Sequence, residues 1–157
     1  MTSRQLLCCI RGYVRIRAAL AGPMIIAAAC GGTEIEDFEG AWRLTAVNAQ
    51  PLPVLGNSTG GEVWVAAVLQ INSNQAGSLD SCTEDPSTST QISRSSAFVA
   101  SSVDGDEITL SYFGSRSPPH DTARLEGSRL ILRYANDVLT FVPLTGDIPG
   151  EVCDLAP

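Results

Sequence analysis

The feature that most constrains this 157-residue chain is a two-residue apolar rhythm that recurs from Gly40 to Leu144 and is broken at short intervals by turn-forming residues. Successive side chains of a β-strand point to opposite faces, so a period of two marks a strand with one face buried. In Gly40 to Asn48, Trp42, Leu44 and Ala46 alternate with Arg43, Thr45 and Val47. Pro51 and Pro53 stop that segment, and Gly56-Asn57-Ser58-Thr59-Gly60-Gly61 reads as a loop. The next segment, Glu62 to Asn72, places Val63, Val65, Ala67, Leu69 and Ile71 on one face and Trp64, Ala66 and Val68 on the other. Both faces are apolar, so it is expected to be covered on both sides. Periodicity alone would also allow a buried helix, but short length and β-branched residues favour a strand.

The pattern continues to the end of the chain. Asn72-Ser73-Asn74-Gln75 supplies a turn, and Gly77 to Thr83 returns as a strand ended by Glu84-Asp85-Pro86. Ser87 to Ser102 is rich in Ser and Thr, a composition typical of linkers. Yet Ile92, Phe98 and Val99 punctuate it, and it reads as one strand with a polar outer face. Asp104-Gly105-Asp106 is a hairpin turn, followed by Glu107 to Phe113 with Ile108, Leu110 and Tyr112 on one face. Gly114 to His120, with Pro118-Pro119, is a loop. Asp121 to Glu126 and Arg129 to Tyr134 are strands joined at Gly127-Ser128, and Val138 to Leu144 is the last. A turn at Asn136-Asp137 would set Tyr134 opposite Leu139 and Leu132 opposite Phe141, leaving Ile131, Arg133, Val138, Thr140 and Val142 on the other face. About eight short strands with no helix predict an all-β domain, either a sandwich or a single antiparallel up-and-down barrel. The barrel is the architecture expected, because closure removes exposed strand edges.

Upstream of this region lie Arg4, Arg11, Arg15 and Arg17, then the apolar stretch Ala18 to Ala29, then Cys30-Gly31-Gly32. Basic, apolar and small residues in that order read as an export signal. The stretch is shorter than the roughly 20 residues a membrane-spanning helix needs, and Gly22-Pro23 interrupts it. Ile25-Ile26-Ala27-Ala28-Ala29-Cys30 resembles the end of a bacterial lipoprotein signal, in which the cysteine becomes the lipidated first residue. An ordinary signal peptidase would also accept Ala27-Ala28-Ala29. Cysteine parity favours lipidation: if Cys8 and Cys9 leave with the signal and Cys30 carries lipid, Cys82 and Cys153 remain as an even pair. The expected organisation is a signal peptide over 1–29, a flexible acidic tether over 30–39 and the barrel over 40–157, with a Cys82–Cys153 disulfide pinning the C-terminal tail. The expected location is the cell envelope, held to the membrane by lipid on Cys30, or secreted or periplasmic without that lipid.

All ten basic residues are Arg, and four lie in the signal, leaving six against seventeen Asp and Glu, a formal charge of −11. Such a surface repels phosphates, so nucleic acid is excluded as a partner.

Gly40-Ala41-Trp42 on the first strand resembles the Gly-x-Trp signature of lipocalins, and the region from about 38 to 144 is similar to small lipocalin-like lipoproteins of bacteria. Val47-Asn48-Ala49-Gln50-Pro51-Leu52-Pro53 and the short strands at Leu69 to Ile71, Ile108 to Leu110 and Leu130 to Leu132 follow in matching order. The resemblance implies an eight-stranded antiparallel barrel able to hold a small apolar ligand. In lipocalins an Arg late in the barrel packs on the signature Trp; the counterpart here is Arg133, which the hairpin register turns outward.

No catalytic constellation is legible. His120 has no Cys or His at metal spacing, as a zinc site requires. Asp104-Gly105-Asp106-Glu107 departs from the calcium-loop pattern, and Asn57-Ser58-Thr59, though a glycosylation acceptor by pattern, reads as loop. Neither a Gly-x-Ser-x-Gly elbow nor a Gly-rich phosphate loop occurs. Trp42, Trp64, Tyr112, Tyr134 and Phe141 could line a ligand cavity or simply fill the core, since eight strands leave an interior that side chains can occupy. The function expected is a non-enzymatic binding or structural module with no cofactor and no metal. Two variants of that role are a carrier or sensor of a small apolar molecule and a protein-partner or inhibitor module using the outer face of Ile131, Val138 and Val142.

Overall fold

Ten strands and two 3-10 turns make up the computed structural model, which describes residues 34–104, 106–113 and 120–156. A turn at Ile35–Phe38 leads into β1 (Gly40–Val47), then β2 (Gln50–Pro51), β3 (Val54–Leu55), β4 (Val63–Ile71), β5 (Ala76–Asp85), β6 (Thr90–Asp104), β7 (Glu107–Tyr112), β8 (His120–Glu126), β9 (Arg129–Tyr134) and β10 (Asp137–Pro143), with a last turn at Val152–Leu155. Each strand from β4 to β10 pairs antiparallel with the next, and β1 pairs with both β4 and β10. The result is a closed eight-stranded antiparallel barrel. Toward its open end β1 and β4 part, and the two-residue strands β2 and β3 lie against β1 and β4 respectively.

Alternation places one face of every strand inside. Leu44, Leu69, Ile71, Leu79, Phe98, Ala100, Ile108, Leu110, Ala123, Leu130, Leu132, Leu139 and Phe141 form one buried cluster. Phe98 needs the bare backbone of Gly77: a Cβ there would sit 2.4 Å from its ring and 2.3 Å from the Gln70 carbonyl oxygen. The hairpin turns after β4, β5, β8 and β9 each place one residue in the left-handed region, whether or not it is a glycine. Gln75 takes a φ of 68° and donates to the Asn72 carbonyl at 2.8 Å, and Gly127 takes a φ of 63° between β8 and β9.

Besides Val47, which a bulge between Leu44 and Ala46 turns into the core from the Arg43 and Thr45 face that alternation gives it, four details depart from the sequence expectations. The end of the expected tether is part of the domain: Phe38 is fully buried, and its carbonyl accepts the Trp42 indole N–H at 3.0 Å. An aromatic ring of that size has a strong hydrophobic reason to leave water, so the 3-10 turn caps one end of the barrel. Arg133 is exposed, and the backbone of Phe38, not an Arg, partners Trp42. Secondly, Trp64 shares a face with Ala67, Leu69 and Ile71 instead of Ala66 and Val68. A bulge between Trp64 and Ala66 inserts Val65 as an extra residue, which reverses the facing of Trp64 relative to simple alternation. Thirdly, the last hairpin turns at Ala135-Asn136, with Ala135 at a φ of 52°, so that Tyr134 pairs with Asp137, Leu132 with Leu139 and Leu130 with Phe141. The register slips by two residues, which keeps every side chain on its expected face. In this register Asp137 is the first residue of β10 and its carboxylate meets the donors described below. Fourthly, the Ser-rich strand begins at Thr90, after a turn over Pro86 to Ser89.

The double-sided burial of β4 is explained by the C-terminal tail. Val65, Ala66 and Val68 point outward and pack with Cys82 and Val152, with Leu144, Cys153, Leu155 and Ala156 beside them. Cys82 and Cys153 are disulfide-bonded, with Cα atoms 5.1 Å apart and 71 residues between them in sequence. A crosslink closing so long a loop contributes about 2 to 4 kcal/mol. The double variant Cys82→Ser, Cys153→Ser is therefore expected to lose that much in equilibrium denaturation. Reduction and alkylation of the native protein should add two alkyl groups at these positions, and an unchanged mass would refute the bridge.

Candidate functional site at the open end of the barrel

The two ends of the barrel differ in chemistry. At the closed end Phe38, Trp42 and Ile71 are apolar and packed. Toward the other end the inward positions become polar. On β5 the inward series runs Leu79, Ser81, Thr83, and the residues opposite on β6 are Ser96, Arg94 and Ile92. On β8 it runs from Ala123 to Asp121, which is buried and accepts the Ala135 backbone N–H at 3.3 Å. A pocket of about 350 Å³ opens here. The loop residues Ser58, Thr59 and Gly60 form one wall; Glu62, Trp64, Ser81, Thr83, Arg94 and Tyr134 form the rest.

Charge in the pocket is self-compensated. Arg94 grips Glu62 bidentately, Nη1 to Oε2 at 2.5 Å and Nη2 to Oε1 at 2.7 Å, while the Thr83 hydroxyl donates to Oε2 at 2.6 Å and accepts from Arg94 Nη1 at 2.6 Å. These contacts, Arg94 first and Thr83 second, hold the Glu62 carboxyl below the usual carboxylate range, and Glu62 in turn raises Arg94. Glu62 is thus a fixed anion at neutral pH and a poor proton donor. Below the pair, Trp64 and Tyr134 meet edge to face with ring centroids 5.8 Å apart. The Trp64 ring is almost wholly buried, and its Nε1–H meets no acceptor among the described residues. Only glycine fits above it, because a Cβ on Gly56 would lie 2.3 Å from that nitrogen.

The wall of the pocket is held by a second buried carboxylate. Asp137 accepts from Asn48 Nδ2 at 2.7 Å, from the backbone N–H groups of Asn57 at 3.0 Å and Ser58 at 2.8 Å, and from the Ser58 hydroxyl. Asn48 also accepts the Val138 N–H at 2.9 Å. One side chain thereby ties the β1–β2 turn and the Gly56–Glu62 loop to β10.

The five aromatic residues expected to line a cavity divide. Trp64 and Tyr134 line the pocket. Trp42 and Phe141 are packed in the core, and Tyr112 is buried edge to face against Phe98 at 5.7 Å. Cys30 lies outside the described residues, as do Gly105 of the expected Asp104-Gly105-Asp106 turn and most of the 114–120 loop; His120 is exposed at the start of β8. On the outer face Val138 is exposed and Ile131 and Val142 are half-buried, with Arg124, Arg133, Glu107 and Glu126 among them. Sequence reasoning missed Glu62, Thr83, Arg94, Asp121 and Asp137. A signal was present: Arg94 is in phase with Ile92 and Phe98, and Asp137 with Leu139 and Phe141, so each is a charge on an inward-facing position.

No protein-family model, curated protein or solved structure matches the chain.

Burial alone would push the Asp137 carboxyl up, but the hydrogen bonds from Ser58, Asn48 and Asn57 outweigh it and hold the group below its ordinary value of 3.8. A depressed folded-state value stabilises the fold above the unfolded value and loses that contribution as pH falls below it. Asp137→Asn is expected to cost about 1 to 3 kcal/mol at pH 7, because the amide keeps one acceptor oxygen and turns an NH2 toward the donors that met the other. The gap between variant and native protein should narrow in denaturant titrations below about pH 3.8.

Proposed function

We propose that this chain is a lipid-anchored, lipocalin-like binding module of the bacterial cell envelope, and that it binds its ligand at the open end of the barrel rather than deep inside it. The observation that carries the reading is the polarity gradient. The interior from Phe38 to Leu139 is filled with packed apolar side chains, whereas the open end presents a pocket with a charged pair, hydroxyls and an aromatic ring. Binding sites combine apolar surface with a few convergent polar groups in this way.

Export is supported by two features. Cys82 and Cys153 form a disulfide, a bond that persists in oxidising compartments, and the chain begins with the basic, apolar and small-residue order of a signal. A non-catalytic role is supported by the chemistry of the pocket, where the carboxylates beside the Thr83 and Ser58 hydroxyls are already committed, Glu62 to Arg94 and Asp137 to Asn48 and the Asn57 and Ser58 backbone. The packed interior weighs against a carrier of an apolar molecule in the barrel centre, and the charges among Ile131, Val138 and Val142 weigh against that face as a hydrophobic docking patch.

Each half of the reading has its own test. Mass spectrometry of the protein from an export-competent bacterial host should find residues 1–29 removed and a diacylglyceryl group on Cys30, with Cys30→Ala abolishing the lipid; an intact Met1 terminus would overturn the anchor. In an NMR fragment screen, hits should cluster on amides of Ser58–Glu62, Thr83 and Arg94. Hits confined to the outer face of β9 and β10 would overturn the binding site.

A further inference from the structure

We propose that the ligand of the open-end pocket is a neutral polyhydroxylated molecule, a mono- or disaccharide. The inference rests on the reading of that pocket as a binding site and assigns its chemistry. The two charges present, Glu62 and Arg94, are already satisfied by each other through two parallel hydrogen bonds. An anionic ligand would have to compete with Glu62 for the guanidinium, and a cationic one with Arg94 for the carboxylate. A neutral ligand leaves the pair intact and uses what remains, since a guanidinium has five N–H donors and a carboxylate about four acceptor sites.

The remaining polar atoms are a mixture of donors and acceptors. Ser81 is held only by a long contact, 3.5 Å to the Arg94 carbonyl, so its hydroxyl has capacity to spare. Arg94 keeps N–H donors beyond those that Glu62 and Thr83 occupy, and Glu62 keeps free acceptor positions. A hydroxyl group both donates and accepts, and an array of hydroxyls is the ligand chemistry that answers such a mixture. Tyr134 supplies a half-buried aromatic ring fixed edge to face by Trp64, a platform for the C–H face of a pyranose. An aliphatic ligand in the same place would strip water from Glu62, Arg94 and Thr83 without replacing its hydrogen bonds, which is costly. The volume, about 350 Å³, suits a small ligand and not a long chain.

The test titrates the purified full chain with D-glucose, D-galactose, N-acetyl-D-glucosamine and cellobiose, with D-glucuronate and laurate as the anionic and apolar comparisons, following backbone amides by NMR. At least one neutral sugar is expected to shift Ser58–Glu62, Thr83 and Arg94 saturably. Arg94→Met and Thr83→Val should each weaken that binding about tenfold or more, as loss of a charge-assisted or buried hydrogen bond implies, and Tyr134→Leu should do so by removing the platform. Spectra of the variants away from the pocket should be unchanged; a variant that fails to fold leaves the other two to decide. Saturable shifts from laurate or glucuronate but from no neutral sugar would overturn the saccharide assignment while leaving the pocket as the binding site. Sugar binding unaffected by all three substitutions would overturn it as well. No shift at the pocket from any of the six probes overturns the saccharide assignment, and a fragment screen that also misses the pocket overturns the site itself.

Discussion

Everything in this fold depends on β1 being hydrogen-bonded on both sides. Gly40–Arg43 pair with Ile71–Val68 of β4, and Trp42–Val47 with Pro143–Leu139 of β10. Without that strand the sheet would be open, with β4 and β10 as edges, and the inward face would lose the partner it packs against. Closure converts one amphipathic sheet into its own core. Trp42 sits in the overlap of the two ladders and anchors the 3-10 turn through its indole N–H, so the residue that seals one end belongs to the strand that closes the wall.

Sealing one end leaves the other to carry polar chemistry. The apolar cluster needs no help from the open end for its burial, so Ser81, Thr83, Arg94 and Asp121 can occupy inward positions there, provided that their polar groups find partners. Glu62 and Asp137 meet that condition in different ways. Asp137 collects donors from two chain segments and fastens them to a third, whereas Glu62 takes one Arg and one Thr and remains at the pocket surface. Fastener and pocket are adjacent, because the loop that Asp137 holds at Asn57 and Ser58 also supplies the pocket wall. A binding surface built on loops is rigid only to the degree that such contacts fix it.

The outer wall of β4 shows a related economy. A strand apolar on both faces would be an aggregation hazard if left exposed. The tail from Leu144 to Ala156 covers Val65, Ala66 and Val68, and the Cys82–Cys153 bond holds it there. The same bulge that sends Val65 and Ala66 outward toward the tail sends Trp64 inward to the pocket. One inserted residue therefore serves both faces of the wall.

Local patterning determined much of this by itself. The strand positions, most hairpin turns, the inward phase of Ile108, Leu110 and Tyr112 and the double burial of β4 follow from alternation and turn chemistry, both of which are set by near neighbours in the chain. Tertiary structure alone decided the facing of Trp64, the Ala135-Asn136 turn, the burial of Phe38 and the meeting of Glu62 with Arg94, 32 residues apart. A bulge is invisible to periodicity because it is a property of two strands together, and a two-residue slip changes partners without changing faces. A salt bridge from the start of β4 to β6 exists only once two successive hairpins have laid the three strands side by side, with Thr83 of β5 between the partners.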